Sequence, residues 1–159
     1  MDVQQKLEQA RKAKKENKAL FDRMKKRNPR EIDRVVHELH DEVFEEVDCL
    51  ACANCCKTTS PLMRDRDVDR LAKHLRMKPS AFTDQYVHID EDGDWVFNGA
   101  PCPFLGADNY CSVYEARPNA CREYPHTDRK KFRQLFSLTL KNTEVCPAVV
   151  EIVERWKAL

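Results

Sequence analysis

Cys49-Leu50-Ala51-Cys52-Ala53-Asn54-Cys55-Cys56 places four thiols in eight residues. Cysteines three apart bring two sulfurs to one metal when the intervening backbone turns and its N–H groups point at the thiolates. A divalent metal keeps the ligating sulfur deprotonated at neutral pH. Four thiolates satisfy a tetrahedral zinc or the corners of an iron–sulfur cube. The adjacent pair Cys55-Cys56 complicates a one-ion arrangement. In a strand the two side chains oppose each other, and in a helical turn Cys49, Cys52 and Cys56 share a face while Cys55 leans away. Such a pair suits two neighbouring centres, or one polynuclear cluster, better than an isolated ion.

The other four cysteines lie far down the chain. Cys102 stands between Pro101 and Pro103, which stiffen the backbone around it. Cys111 and Cys121 flank Tyr114, Arg117 and Pro118. Cys146 precedes Pro147, the expected first residue of a helix whose positive end favours a thiolate. Eight thiolates are the number needed for two four-coordinate sites. The triple C-x2-C-x2-C with a distant Cys-Pro is also a ferredoxin-like ligation pattern. The rival readings are buried small hydrophobes and disulfides. Buried thiols do not usually cluster four in eight residues, and disulfides need an oxidising compartment.

Composition narrows that choice. Residues 1–30 hold no apolar segment of the secretory kind, so a cytoplasmic, reducing location is expected. Mean hydropathy is −0.72, and no stretch approaches the ~20 apolar residues of a bilayer span, so no membrane partner is expected. A net charge of +1 gives the chain as a whole no polyanion-binding character. With only 3 Gly, phosphate-cradling loops are not expected, and no Ser-His-Asp order or dinucleotide pattern is visible. No catalytic constellation is visible.

The flanks set the fold class. Residues 1–30 carry eleven bases against four acids, in a run of helix formers ending at Asn28-Pro29. This predicts a helix over about 3–26. Residues 31–48 carry eight acids and one base, with Ile32, Val35, Val36, Leu39, Val43, Phe44 and Val47 at helical spacing. The two helices read as a hairpin with solvated polar faces. Further on, helices are expected over 65–77, 79–87 and 147–159. A small hairpin pairs 87–89 with 95–97 across Asp90-Glu91-Asp92-Gly93-Asp94. Residues 99–127 read as irregular loops, and 131–140 fit either strand or helix. The expected fold is mainly α, with a small β-hairpin and irregular cysteine-rich loops. It is a small metal-stabilised domain over 49–159 with a charged N-terminal helical extension over 1–48.

These residues resemble a known family, the zinc- or iron-chelating domain of YkgJ-type cysteine-cluster proteins. The likeness runs from Cys49 to about Pro147 and takes in Cys49-Leu-Ala-Cys52-Ala-Asn-Cys55-Cys56 and Pro101-Cys102-Pro103-Phe104-Leu105. It continues through Tyr110-Cys111-Ser112-Val113-Tyr114-Glu115 and Arg117-Pro118-Asn119-Ala120-Cys121-Arg122-Glu123-Tyr124-Pro125 to Cys146-Pro147. The sequence departs at Ala53-Asn54, where many relatives carry Gly ahead of the double cysteine. The resemblance implies a metal centre of zinc or iron, an iron–sulfur cluster among the options. Its ligands would be Cys49, Cys52, Cys55, Cys56, Cys102, Cys111, Cys121 and Cys146. It leaves the reaction open.

Around that centre, Arg117 and Arg122 are placed to hydrogen-bond the cluster or offset its negative charge, and local capping is the alternative for Arg117. Tyr114 and Tyr124 read as packing residues. His126 reads as a solvent-exposed or hydrogen-bonded residue, with replacement of a thiolate as the alternative, and His37 and His40 read as surface residues. Three functions follow: a metal-binding module, an iron–sulfur redox or methyltransferase-like enzyme, and an adaptor whose charged N-terminal helices bind a protein or RNA. Metal ions are the expected partners in the first two.

Overall fold

Helices account for most of the computed structural model, which describes residues 2–159. The chain divides into two compact units. One joins the residues up to Cys49 to Pro125–Leu159, and the other is Leu50–Tyr124. The C-terminal helix thus folds with the N-terminal helices rather than with residues 50–124.

In the first unit, α1 spans Val3–Lys12, α2 Lys14–Met24 and α3 Pro29–Glu46. The single helix expected over 3–26 bends at Ala13, although no breaker stands there. The two halves pack on different neighbours. Leu7 and Ala10 of α1 meet Val150, whereas Leu20 and Phe21 of α2 enter the main core, which one straight rod does not reach. Pro29 opens α3 and the Asn28 carboxamide accepts from the Arg30 N–H, so the chain turns where its sequence breaks.

The segment that fits either strand or helix is helical. A 3-10 turn at Phe132–Leu135 leads into α9, Phe136–Asn142. The last helix, α10, covers Pro147–Lys157. Its apolar face (Val149, Ile152, Val153, Trp156) packs with Ile32, Val36, Leu39 and Val43 of α3. Phe21, Phe136 and Trp156 meet edge to face, with ring centroids 4.8 to 6.0 Å apart.

The basic and acidic helices do not neutralise each other directly. Among the described residues no ion pair joins α1 or α2 to α3; α10 takes charge from both sides. Glu151 pairs with Lys6, Lys157 with Glu16 at 3.6 Å, and Arg155 with Glu46 at 2.6 Å. His37 and His40, expected at the surface, are half-buried. A ring nitrogen of His37 lies 2.9 Å from the Arg129 carbonyl, and one of His40 lies 2.7 Å from the Thr127 hydroxyl, so both hold residues 127–129 to α3.

The second unit opens with two short helical turns, α4 (Cys49–Cys52, whose first residue closes the other unit) and α5 (Asn54–Thr58). Two further helices, α6 (Asp65–His74) and α7 (Pro79–Tyr86), lead into β1 (Val87–Ile89), which pairs antiparallel with β2 (Trp95–Phe97) as the expected hairpin, with Val87 opposite Phe97. Val68, Leu71, Phe82, Phe97 and Phe104 form its core. The loop over 99–127 contains two ordered pieces the sequence did not reveal, a 3-10 turn at Tyr114–Ala116 and the short helix α8 at Asn119–Glu123. No helix is long and apolar enough to cross a membrane among the described residues.

Candidate metal centre

Ala53 separates the two cysteine-bearing turns, and it adopts the left-handed conformation at φ +47°. A β-carbon is disfavoured there, which explains physically why a glycine suits this position. The left-handed residue ends one turn and starts the next. The pair Cys55-Cys56 therefore begins a new helical turn instead of continuing the first. Thr58 and Thr59 donate their hydroxyls to the Asn54 and Cys55 carbonyls at 2.7 and 2.8 Å, closing the end of α5.

Two hydrogen bonds, one from a backbone N–H and one from the Asn109 side chain, draw the distant segments together. The Cys102 N–H donates to the Cys56 carbonyl at 2.8 Å. The Asn109 amide donates to the Ala51 carbonyl at 3.2 Å. Between them, residues 105–111 close a tight loop in which the Gly106 N–H donates to the Tyr110 carbonyl at 2.8 Å and Leu105 bridges Cys111. A β-carbon on Gly106 would lie 2.6 Å from the Asp108 carboxylate and 3.2 Å from the Tyr110 carbonyl, so the closeness of this loop depends on glycine.

A further tie fixes Arg117 and Cys121. Asp67, buried on α6, accepts from the Arg64 N–H at 2.9 Å, the Asn119 N–H at 3.1 Å and the Arg70 guanidinium at 2.6 Å. Arg70 in turn donates to the Arg117 carbonyl at 3.0 Å and the Ala116 carbonyl at 3.4 Å. Burial raises the Asp67 pKa, but the two backbone N–H groups and Arg70 outweigh it and hold the carboxyl below its ordinary 3.8. Sequence reasoning missed this strut. Its trace was an Asp and an Arg three apart in an otherwise polar helix, with nothing to say that their partners lay some fifty residues away.

Four other sulfurs interact with Cys56. The Cys55 thiol donates to the Cys56 thiolate and lowers its pKa from 9.0 to about 7, against the opposing effect of burial. Burial pushes Cys102 up; the Phe104 N–H pulls the other way, and the charges of Cys56 and Cys111 add to the rise. Burial also raises Cys111, opposed by the Val113 N–H and by Arg117. Cys121 is exposed as a residue, yet protein around its sulfur and the charges of Cys56, Cys102 and Cys111 push the thiol up to about 12, despite Arg117. Five cysteines from three segments thus feel one another. Backbone N–H groups two residues downstream of Cys102 and Cys111 donate to the sulfur, the arrangement expected of ligating turns.

Arg117 stacks on Tyr114, its guanidinium carbon 3.7 Å from the ring centroid. Its Nε is buried and finds no acceptor among the described residues. A buried guanidinium N–H beside Cys111 and Cys121 is suited to an anionic sulfur centre, and local capping does not use it. Cys52 is half-buried in its turn. Cys49 and Cys146 belong to the other unit, where Cys146 precedes α10 and its N–H donates to the Asn142 carbonyl at 2.8 Å.

Among the described residues no three His, Cys, Asp or Glu side chains stand as a ready-made metal site. The donor chemistry nevertheless fits a borderline or soft cation. The gathered groups are all sulfur, their mutual charge opposes ionisation, and an orphaned cationic donor lies beside them. Drawing the sulfurs onto one ion requires side-chain movement from the arrangement described.

Over residues 48–147 the chain matches the model of the CxxCxxCC family, whose description is "Putative zinc- or iron-chelating domain". No curated protein and no solved structure matches the chain. The matched segment holds all eight cysteines and more than half of the sequence, and the chain belongs to this family of zinc- or iron-chelating domains.

Proposed function

We propose that the chain is a metal-chelating module that holds zinc or iron on thiolates drawn from Cys49, Cys52, Cys55, Cys56, Cys102, Cys111, Cys121 and Cys146. What supports this reading is that Cys56 accepts from the Cys55 thiol and that its charge acts on Cys102, Cys111 and Cys121, beside the buried Nε of Arg117. In a half-buried setting, several thiolates together are costly unless a cation accompanies them. A bound metal supplies that charge and ties segments that have little regular structure of their own.

The chain's own groups divide the work. The Cys55 thiol lowers the pKa of Cys56 to about 7, which makes Cys56 the first anchor for an incoming cation. Cys102 and Cys111 keep their sulfurs oriented through N–H donors. Arg117 offsets excess negative charge, and the Asp67–Arg70 strut fixes the turn that presents Arg117 and Cys121. The chelating domain runs over residues 49–159, which includes Cys146, and the charged helices over 1–48 are the extension.

Elemental analysis of anaerobically purified protein, with acid-labile sulfide counted per chain, tests the reading. Zinc or iron at one or two atoms per chain is expected without sulfide, and equimolar sulfide would identify an iron–sulfur cluster. Cys56→Ser and Cys121→Ser should each lower the metal content. Protein that carries no zinc or iron, and takes up neither when reconstituted under reducing conditions, would end the proposal.

A further inference from the structure

The basic residues are not spread evenly over the first unit. Lys6, Lys12 and Lys14 each meet a carboxylate, on Glu151, Glu8 and Glu144 respectively. The turn between α2 and α3 differs. Arg23, Lys25, Lys26, Arg27, Arg30 and Arg34 are all exposed there. Arg129, Lys130, Lys131 and Arg133, also exposed, come to the same place from a hundred residues away. Asp33 brings them: its carboxylate accepts the Lys131 N–H and the Phe132 N–H, each at 2.9 Å. His37 adds a second tie at the Arg129 carbonyl, and Phe21 on Phe136 holds the end of α2 against the same segment. Arg30, Asp33 and His37 lie at i, i+3 and i+7 on α3, so the 129–132 segment lies along the stripe that begins with Arg30.

Residues 23–34 and 128–133 together hold ten bases and three acids, a net charge of +7. One of the acids, Asp33, is turned to backbone N–H groups. Only Lys25 and Arg34 pair with a carboxylate, each within its own helix. Among the described residues, Arg23, Lys26, Arg27, Arg30, Arg129, Lys130, Lys131 and Arg133 have no ion-pair partner. Of the other acids on α3, Glu31 lies within the patch and Glu38 pairs with Arg34, whereas the run Asp41, Glu42, Glu45 and Glu46 begins eleven residues along α3 from Arg30. At ~1.5 Å per residue that is about 16 Å, beyond the ~8 Å screening length of physiological salt. The positive field of this patch is therefore not cancelled by the chain's near-zero net charge.

We propose that this surface binds the phosphate backbone of a nucleic-acid duplex. Six of the ten bases are arginines, whose planar forks match phosphate oxygens bidentately. The patch offers no exposed aromatic residue, so it lacks the stacking platform of single-strand binders. It also lacks an exposed apolar anchor, which a stable protein interface needs at its centre. What remains is electrostatic and indifferent to sequence, the character of backbone recognition. This inference does not rest on the metal reading, because every residue in it belongs to the other unit.

The experiment measures anisotropy of labelled 20-base-pair RNA and DNA duplexes of arbitrary sequence, with full-length protein, across a salt series. If about five phosphates are engaged, log K falls against log salt with a slope of about −4.5. Affinity then drops roughly several-hundred-fold between about 50 and about 200 mM salt. Charge reversal at Arg129, Lys130, Lys131 and Arg133 to Glu should abolish binding, and the milder pair Arg129→Gln and Lys131→Gln should flatten the slope by about two. Reversal at Lys12, Lys15 and Lys18 should leave most of the affinity, and metal content should not change in any variant. Preference for the RNA or the DNA duplex identifies the source of the backbone. No duplex binding at low salt, equal loss from the Lys12 group, or displacement of the duplex by equimolar polyglutamate would overturn the proposal, the last in favour of an acidic protein partner.

Discussion

In the unit built from the two chain ends, Leu20, Phe21, Phe132, Phe136, Val149, Ile152 and Trp156 interlock between long helices, and Cys146 packs against that cluster at its edge. In the unit of residues 50–124, the core around Phe82, Phe97 and Phe104 is smaller, the regular elements are short, and half-buried Cys102 and Cys111 line it. The first solves its stability problem with apolar area. The second leaves much of its backbone in turns that are tied pairwise by hydrogen bonds, and it carries most of the cysteines of the proposed chelating site. One chain thus holds a unit fastened by apolar packing and a unit that the proposed metal would fasten.

The sharpest way to break this contrast is to remove the metal. Chelation under reducing conditions should strip amide-exchange protection from residues 50–124 and leave α3 and α10 protected. By the scale of small zinc-dependent folds the loss is about 10 kcal/mol. Hydrogen-exchange mass spectrometry reads both units at once, and equal loss across α3 would show that the contrast is false.

The converse test attacks the apolar unit. Trp156→Ala should cost about 3–5 kcal/mol in urea unfolding followed by circular dichroism. Metal bound per chain should be unchanged, and a parallel fall in metal would couple the two units.

A smaller effect is expected at the strut. Asp67→Asn should destabilise the second unit by about 1–3 kcal/mol, because the Arg70 guanidinium loses its carboxylate. The folded pKa of Asp67 lies below its ordinary 3.8. Its stabilisation is therefore complete above that value and lost as the pH falls through the folded pKa. The gap between wild type and variant, measured by Trp95 fluorescence in a Trp156→Phe background, should hold steady near neutrality and narrow on acidification below 3.8; a gap that widens there would contradict the assigned partners.

The smallest change sharpens the picture at the cysteine turn. Ala53→Gly should stabilise the second unit by about 0.5–1 kcal/mol, since the left-handed strain outweighs the flexibility gained by the unfolded chain. No gain in midpoint, or a loss, would place the strain elsewhere.

The sequence made the regular parts of this molecule legible. The heptad-like run from Ile32 to Val47, the Pro147 start of α10 and the Gly93 turn each announce themselves through local spacing. So did the importance of the cysteines, since clustering is visible in one dimension. What stayed hidden depends on partners far along the chain. The bend at Ala13 comes from two different packing surfaces, and the order within 99–127 comes from Asp67, Arg70 and the Cys56 carbonyl. The left-handed residue was marked by the departure from glycine at Ala53, but its role as the break between α4 and α5 required the backbone. Distances among Cys55, Cys56, Cys102, Cys111 and Cys121 could not be read from spacing, because loops rather than helices set them.

The discontinuity of the first unit has a consequence for synthesis. α1, α2 and α3 leave the ribosome before residues 50–124, yet α10, which packs on α1 and α3, is translated after them. Residues 50–124 are complete before it emerges. At ~5–20 residues per second, the nascent chain spends several seconds with the α3 stripe uncovered while the cysteine loops are already whole. Cation capture is thus free to precede closure of the helical half, and an agent that shields an amphipathic helix during that interval would raise the yield of folded protein without ever touching a sulfur.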